Sequence, residues 1–162
     1  MRKVKVIVVL VISLAALFLI SAKVNSTRTA HEYLLSHSDE IEALLFEDAV
    51  DSNTYVVFYV NSSNTASCAI MKKSILSYKI LKLSSQVSLF QGEEPVNALF
   101  SSYGEKRDKW IFWGFIFDQN MSGLLVEGTE AVIAQIDSER RLFYHIGTGN
   151  DNTTFSDYQY VY

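Results

Sequence analysis

Trp110 to Phe117, WIFWGFIF, is a run of eight residues in which only Gly114 is neither aromatic nor aliphatic. As a helix it would reach about 12 Å, well short of the about 30 Å of a bilayer core. Extended, it suits a central strand covered on both faces. Gly114 in its middle points to a bulge or a close backbone approach. Alternation puts Trp113 on one face with Ile111, Phe115 and Phe117, a core position.

Downstream, turn-formers separate short apolar runs at regular spacing. Asp118 to Gly123 leads into Leu124–Glu127, Gly128-Thr129 into Ala131–Ile136, and Asp137 to Arg140 into Arg141–Ile146. That spacing predicts an antiparallel meander. Gly147 to Thr154 reads as a loop, and Phe155 to Tyr162 as a last strand with Tyr158, Tyr160 and Tyr162 on one face. Upstream, Thr54–Val60 (TYVVFYV) and Ala66–Met71 (ASCAIM) flank Asn61 to Thr65, a predicted hairpin. A third strand is expected around Tyr78–Leu83 and a fourth over Gln86–Phe90.

Two stretches read as helix. From Thr29, the residues Ala30, Tyr33, Leu34, His37, Ile41, Leu44 and Leu45 recur at the 3–4 spacing of an amphipathic helix. Glu93-Glu94-Pro95 followed by Val96, Leu99, Phe100 and Tyr103, with Gly104 behind, predicts a short inserted helix.

Val6 to Ala22, VIVVLVISLAALFLISA, carries no charge; Arg2, Lys3 and Lys5 precede it and Lys23 closes it. Seventeen helical residues reach roughly 25 Å, at the lower limit for a span. The segment fits a signal-anchor, or a signal peptide with poor cleavage sites. Positive charge at the start keeps the N-terminus cytoplasmic and exports the rest. The expectation is therefore a single-pass cell-membrane protein, secreted if the signal is cleaved. Residues 1–26 form the signal-anchor or signal peptide with its connector, and residues 27–162 one extracytoplasmic domain. The fold class expected is α+β: an N-terminal membrane helix, one amphipathic helix, then an antiparallel β-rich domain, a sandwich or curved sheet, with one short inserted helix.

The net charge is −4. Without the three basic residues before the apolar run, 11 basic residues face 18 acidic ones, a balance of −7. That argues against nucleic acid and against anionic membrane surfaces. Cys68 is the only cysteine, so no internal disulfide is available and the fold must hold by packing.

No assembled chemistry is legible. Asp118-x-Asn120-x-Ser122-Gly123 matches half a calcium loop, but the twelfth place is Thr129 where a bidentate Glu is needed. His31, His37 and His145 lack metal-ligand spacing. Cys68 among small apolar residues reads as an inert thiol. Gly147-Thr-Gly-Asn-Asp-Asn has no lysine and is no phosphate loop. Glu93-Glu94 reads as an acidic helix start. Asn25, Asn61, Asn120 and Asn152 each begin an Asn-x-Ser/Thr acceptor pattern. No catalytic, cofactor-binding or metal residue is assigned, and no cofactor is implied.

Met71–Leu81 (MKKSILSYKIL) together with Trp113–Ala134 (WGFIFDQNMSGLLVEGTEAVIA) resembles small membrane-anchored or secreted proteins of Gram-positive bacteria that carry no assigned function. The resemblance implies an extracytoplasmic domain and no particular activity. The function expected is a membrane-tethered binding or envelope-associated module with a protein or envelope partner. The alternative is an enzyme whose site assembles only in the fold; it requires a pocket gathering His145 or Asp118 with a second titratable group.

Overall fold

Runs of β-branched and aromatic residues become strands here because both of their faces find cover. The computed structural model describes residues 10–20, 23, 28–75, 77–92, 94–149 and 157–162. Among these, residues 10–20 form helix α1 and Ala30–Leu35 helix α2; every strand pairing is antiparallel. The first sheet runs β1 (Ile41–Ala49), β2 (Thr54–Asn61), β3 (Thr65–Lys73), β4 (Tyr78–Leu83), with β5 (Val87–Ser88) also on β3. The second holds β6 (Val96–Tyr103), β7 (Lys109–Ile116), β10 (Val132–Gln135) and β11 (Arg141–Thr148), in the order β10-β11-β7-β6. The third joins β8 (Gly123–Val126), β9 (Thr129–Glu130) and β12 (Tyr158–Val161), with β8 central.

Side-chain alternation builds three cores from two central strands. Val56 and Phe58 of β2 and Cys68 and Ile70 of β3 meet Ile111, Trp113 and Phe115 of β7 and Leu142 and Tyr144 of β11. This is the interior of a sandwich of the first and second sheets. The other face of the first sheet, with Val57, Tyr59, Ala69 and Met71, is covered by Ala30 and Leu34 of α2. The other face of the second sheet, with Trp110, Phe112, Ile116 and Phe143, is covered by Leu124 and Val126 of β8 and by Tyr160. The layers are α2, first sheet, second sheet, third sheet.

The expected fold class does not stand. Strand makes up 52% of the described residues and helix 13%, so this is a mostly antiparallel β protein and not α+β. The N-terminal membrane helix fails with it. Helix α1 is described over residues 10–20, and residue 23 is helical as well. Among the described residues no helix is long and apolar enough to cross a membrane, which overturns the single-pass anchor and the cell-membrane localisation drawn from Val6–Ala22. Residues 1–9, 21–22 and 24–27, on which that reading also drew, lie outside the described residues.

The two other helix assignments are corrected, the first in part and the second entirely. The stretch from Thr29 is helical only to Leu35; Ile41 onward is β1. Register shifts at Ile41/Ala43 and Leu44/Phe46 interrupt the pairing of β1 with β2. Such irregularities reset the period of two and leave apolar residues at helix-like intervals. The predicted inserted helix is strand β6. Val96, Ala98 and Phe100 face the third sheet while Leu99 and Tyr103 face the sandwich interior. A two-faced strand mixes two period-2 series, and residues picked from both imitate a helical face.

Candidate functional site

The β2–β3 hairpin organises the most elaborate cleft. Asn61 ends β2, and its side-chain oxygen accepts from Ser63 N (3.0 Å), Thr65 N (3.3 Å) and Thr65 Oγ1 (2.9 Å). Its amide Nδ2 donates to Ser67 Oγ at 3.2 Å. Ser67 in turn hydrogen-bonds the Tyr59 phenol, which burial pushes up despite that bond. Asn61 and Ser67 are only 6% and 4% exposed. They form a buried, uncharged polar floor on the outer face of the first sheet.

One wall is α2 with the turn behind it. Thr29 and Glu32 make a capping box. The Glu47 carboxylate on β1 accepts from the Ala30 and His31 N–H groups at 3.3 and 3.0 Å, which pins the helix start to the sheet. Leu34 packs beneath. His37 stacks on Tyr33 with ring centroids 4.0 Å apart, and its Nδ1 lies 2.8 Å from the Tyr33 carbonyl oxygen. The opposite wall is Ile80 and Leu83 of β4 with Ser84, Ser85 and Gln86. Ser84 Oγ accepts from Cys68 N and donates to the Ser85 carbonyl, both at 3.0 Å. The cleft encloses about 360 Å³, and His37 and Glu40 are its titratable groups besides Tyr59.

A second cleft, also about 360 Å³, lies where β1 approaches β11. It gathers Asp48, Glu130, Tyr144 and His145. Tyr144 Oη donates to Asp48 Oδ2 at 2.6 Å. Burial and that carboxylate push the phenol up. Burial pulls His145 down, opposed by the Glu127 charge and the Glu130 carbonyl. Successive residues on β11, Tyr144 and His145 point to opposite faces of the sheet, Tyr144 into the sandwich and His145 toward Trp110, 5.4 Å away by centroids. A third cleft of about 520 Å³ is lined by Phe90, Phe117, Gln119 and Arg140. Arg140 there bonds the Asp137 carboxylate, holding it below its usual value.

The residues singled out in sequence serve mostly as structure. Asp118 Oδ1 accepts from Asn120 N, and Ser122 Oγ donates to the Val161 carbonyl. The half calcium loop is thus a turn, clamped by Arg141 through the Asp118 and Met121 carbonyls at 2.8 and 2.7 Å. Cys68 is buried in the sandwich, and burial raises its thiol. Among the described residues no three His, Cys, Asp or Glu side chains are grouped to hold a metal. Asn61 is buried and hydrogen-bonded within the hairpin, so its acceptor pattern is a hairpin device; Asn120 is exposed; Asn25, Asn152 and Glu93 lie outside the described residues.

His145 lies in one cleft with Asp48, Glu130 and Tyr144, while Asp118 stays in its turn. Sequence reasoning missed Tyr59, Ser67, Ser84 and Gln86 altogether. The one signal was Ser67 inside an apolar strand, a polar residue that must find a buried partner. No protein-family model, curated protein or solved structure matches this chain.

Proposed function

We propose that this chain is a binding module and that its ligand site is the cleft between α2 and β4. The observation that supports this is the buried floor of Asn61 and Ser67, uncharged and oriented by its own hydrogen bonds. Prearranged neutral donors and acceptors in a small concave site suit recognition. They do not suit acid–base catalysis, which needs a titratable group with its reactive atom available. His37 is committed to the Tyr33 carbonyl through Nδ1, and Glu40 stands at the rim. The acidic balance of the chain disfavours nucleic acid as the partner.

The test is a set of ¹⁵N–¹H spectra of the full chain, titrated separately with lysine amide, inorganic phosphate and a neutral monosaccharide. Saturable shifts clustered at the amides of Ser67, Ser84 and Gln86 are expected from at least one probe. Shifts confined to other clefts, or none, overturn the assignment.

A second reading rests on the His145 cleft. Burial favours the neutral form of His145, and Glu130 and Asp48 share its pocket, a setting that suits a general base. Chromogenic esters and glycosides test it. Turnover abolished in His145→Ala would establish the enzyme; no turnover, or turnover that survives the substitution, removes it.

A further inference from the structure

We infer that the cleft between α2 and β4 takes a neutral polyhydroxylated ligand, a small saccharide. This rests on the binding reading above and adds the chemical class. Among the described residues no lysine or arginine lines the cleft, and Glu40 stands against its one imidazole, His37, so an anion entering it would lose its hydration for little counter-charge. One carboxylate, Glu40, is too little to strip a cation of water, and among the described residues no second carboxylate lines the site. Beside the His37 imidazole, what remains is a lining of hydroxyls and amides with apolar side chains between them.

That pattern matches a sugar ring. A sugar hydroxyl both donates and accepts, so it pairs best with a carboxylate or carbonyl on one side and an amide or hydroxyl on the other. Glu40 supplies an acceptor. Gln86 supplies an acceptor and two donors, and neither its amide nor the Glu40 carboxylate is hydrogen-bonded to a described residue. Ser67 and Asn61 lie nine-tenths buried at the floor. Ile80, Leu83 and the Tyr59 ring offer an apolar surface for the ring's C–H face. The volume, about 360 Å³, is at the low end of the roughly 300–1,000 Å³ of small-molecule sites and suits one or two sugar units.

The experiment titrates the ¹⁵N-labelled full chain with glucose, N-acetylglucosamine and myo-inositol, beside phosphate and lysine amide. At least one neutral polyol should give saturable shifts at Ser67, Ser84 and Gln86. Gln86→Ala should weaken that polyol about fivefold, the loss of one neutral hydrogen bond. Glu40→Ala should weaken it about tenfold, since its acceptor is charged. Both side chains are exposed, so neither change threatens folding. Glu130→Ala, in the His145 cleft, should leave the affinity unchanged. Phosphate or lysine amide saturating this cleft while all polyols are silent would overturn the saccharide inference and leave the binding module standing. Silence from every probe overturns both. Polyol shifts indifferent to Gln86→Ala and Glu40→Ala place the sugar elsewhere and also sink the inference.

Discussion

Two glycines show how single positions set the packing of the second sheet. A Cβ on Gly114 would lie 2.0 Å from the Asn97 carbonyl oxygen and 2.6 Å from Ala98 Cα, so β6 backbone crosses where a side chain would stand. A Cβ on Gly147 would lie 1.9 Å from the Trp110 ring, which is packed over that backbone. Backbone cannot rotate aside and an indole can shift, so Gly114→Ala should cost more than Gly147→Ala, the latter about 1–3 kcal/mol. Urea midpoints of the two variants check the order, with unchanged slopes expected. Gly114 was legible in sequence as a bulge or a close approach because it interrupts an aromatic strand, and it is the close approach that the pairing without a register shift shows. Gly147 was not: followed by Thr, Gly, Asn and Asp it reads as loop, and only pairing with Trp110 across β7 extends β11 that far. A second residue-scale effect concerns pH. Burial, aided by neighbouring carboxylates, pushes Tyr103 up to about 12 and raises Tyr144 as well. Below the ordinary phenol value of 10.0 both states keep the proton and these groups contribute no slope. Above it the unfolded chain ionises first, so unfolding releases protons and stability falls as pH rises. Urea midpoints from about pH 8 to about pH 11 should fall, and less steeply in Tyr144→Phe.

Element α2 is six residues, too short to persist alone, and it is held by what it touches. Thr29 satisfies one N–H of the first turn and the Glu47 carboxylate two more, while Ala30 and Leu34 bury against the first sheet. Glu47→Ala removes the clamp that joins helix to sheet. The loss expected is roughly 0.5–2 kcal/mol, as for other helix caps, and it is local. Hydrogen exchange should quicken at the Ala30 and His31 amides while β2 and β3 amides keep their rates; uniform acceleration would mean that Glu47 supports the whole sheet instead. The helix start was readable, since Thr29 and Glu32 stand three apart ahead of an apolar residue. Its end was not. The irregular pairing of β1 hides that strand's alternation, and with it the contact of Glu47 with the start of α2. The candidate cleft shares this difficulty. Asn61, Ser67, Ser84 and Gln86 come from a strand end, a strand middle and a loop, and no spacing rule connects them until β3 pairs with β2 and β4.

Across the molecule, the sequence displays its strands far better than their partners. β8, β9 and β10 follow one another like a meander, yet β8 and β9 belong to the third sheet and β10 to the second. The chain changes layer at Ala131, whose N–H still donates to the Leu124 carbonyl. β12 pairs with β8 from the far end of the chain. These choices depend on which apolar faces remain uncovered, a long-range matter that local periodicity does not carry. The outcome is that β7 serves two cores at once, with Trp113 in the sandwich interior and Trp110 beneath the third sheet. A strand cannot leave one core and stay in the other, so the layers should unfold together. The two tryptophans are the only ones in the chain and report one core each. Trp110→Phe leaves a reporter of the sandwich, and Trp113→Phe a reporter of the outer layer. Each variant is destabilised, so each is compared with its own far-ultraviolet circular dichroism. Fluorescence and dichroism should give coincident urea transitions in both. A fluorescence midpoint in Trp113→Phe that precedes the loss of dichroism would mean that the third sheet peels away first. That would make it a separate unit resting on a two-sheet sandwich, stabilised by the pairing of β12 with β8.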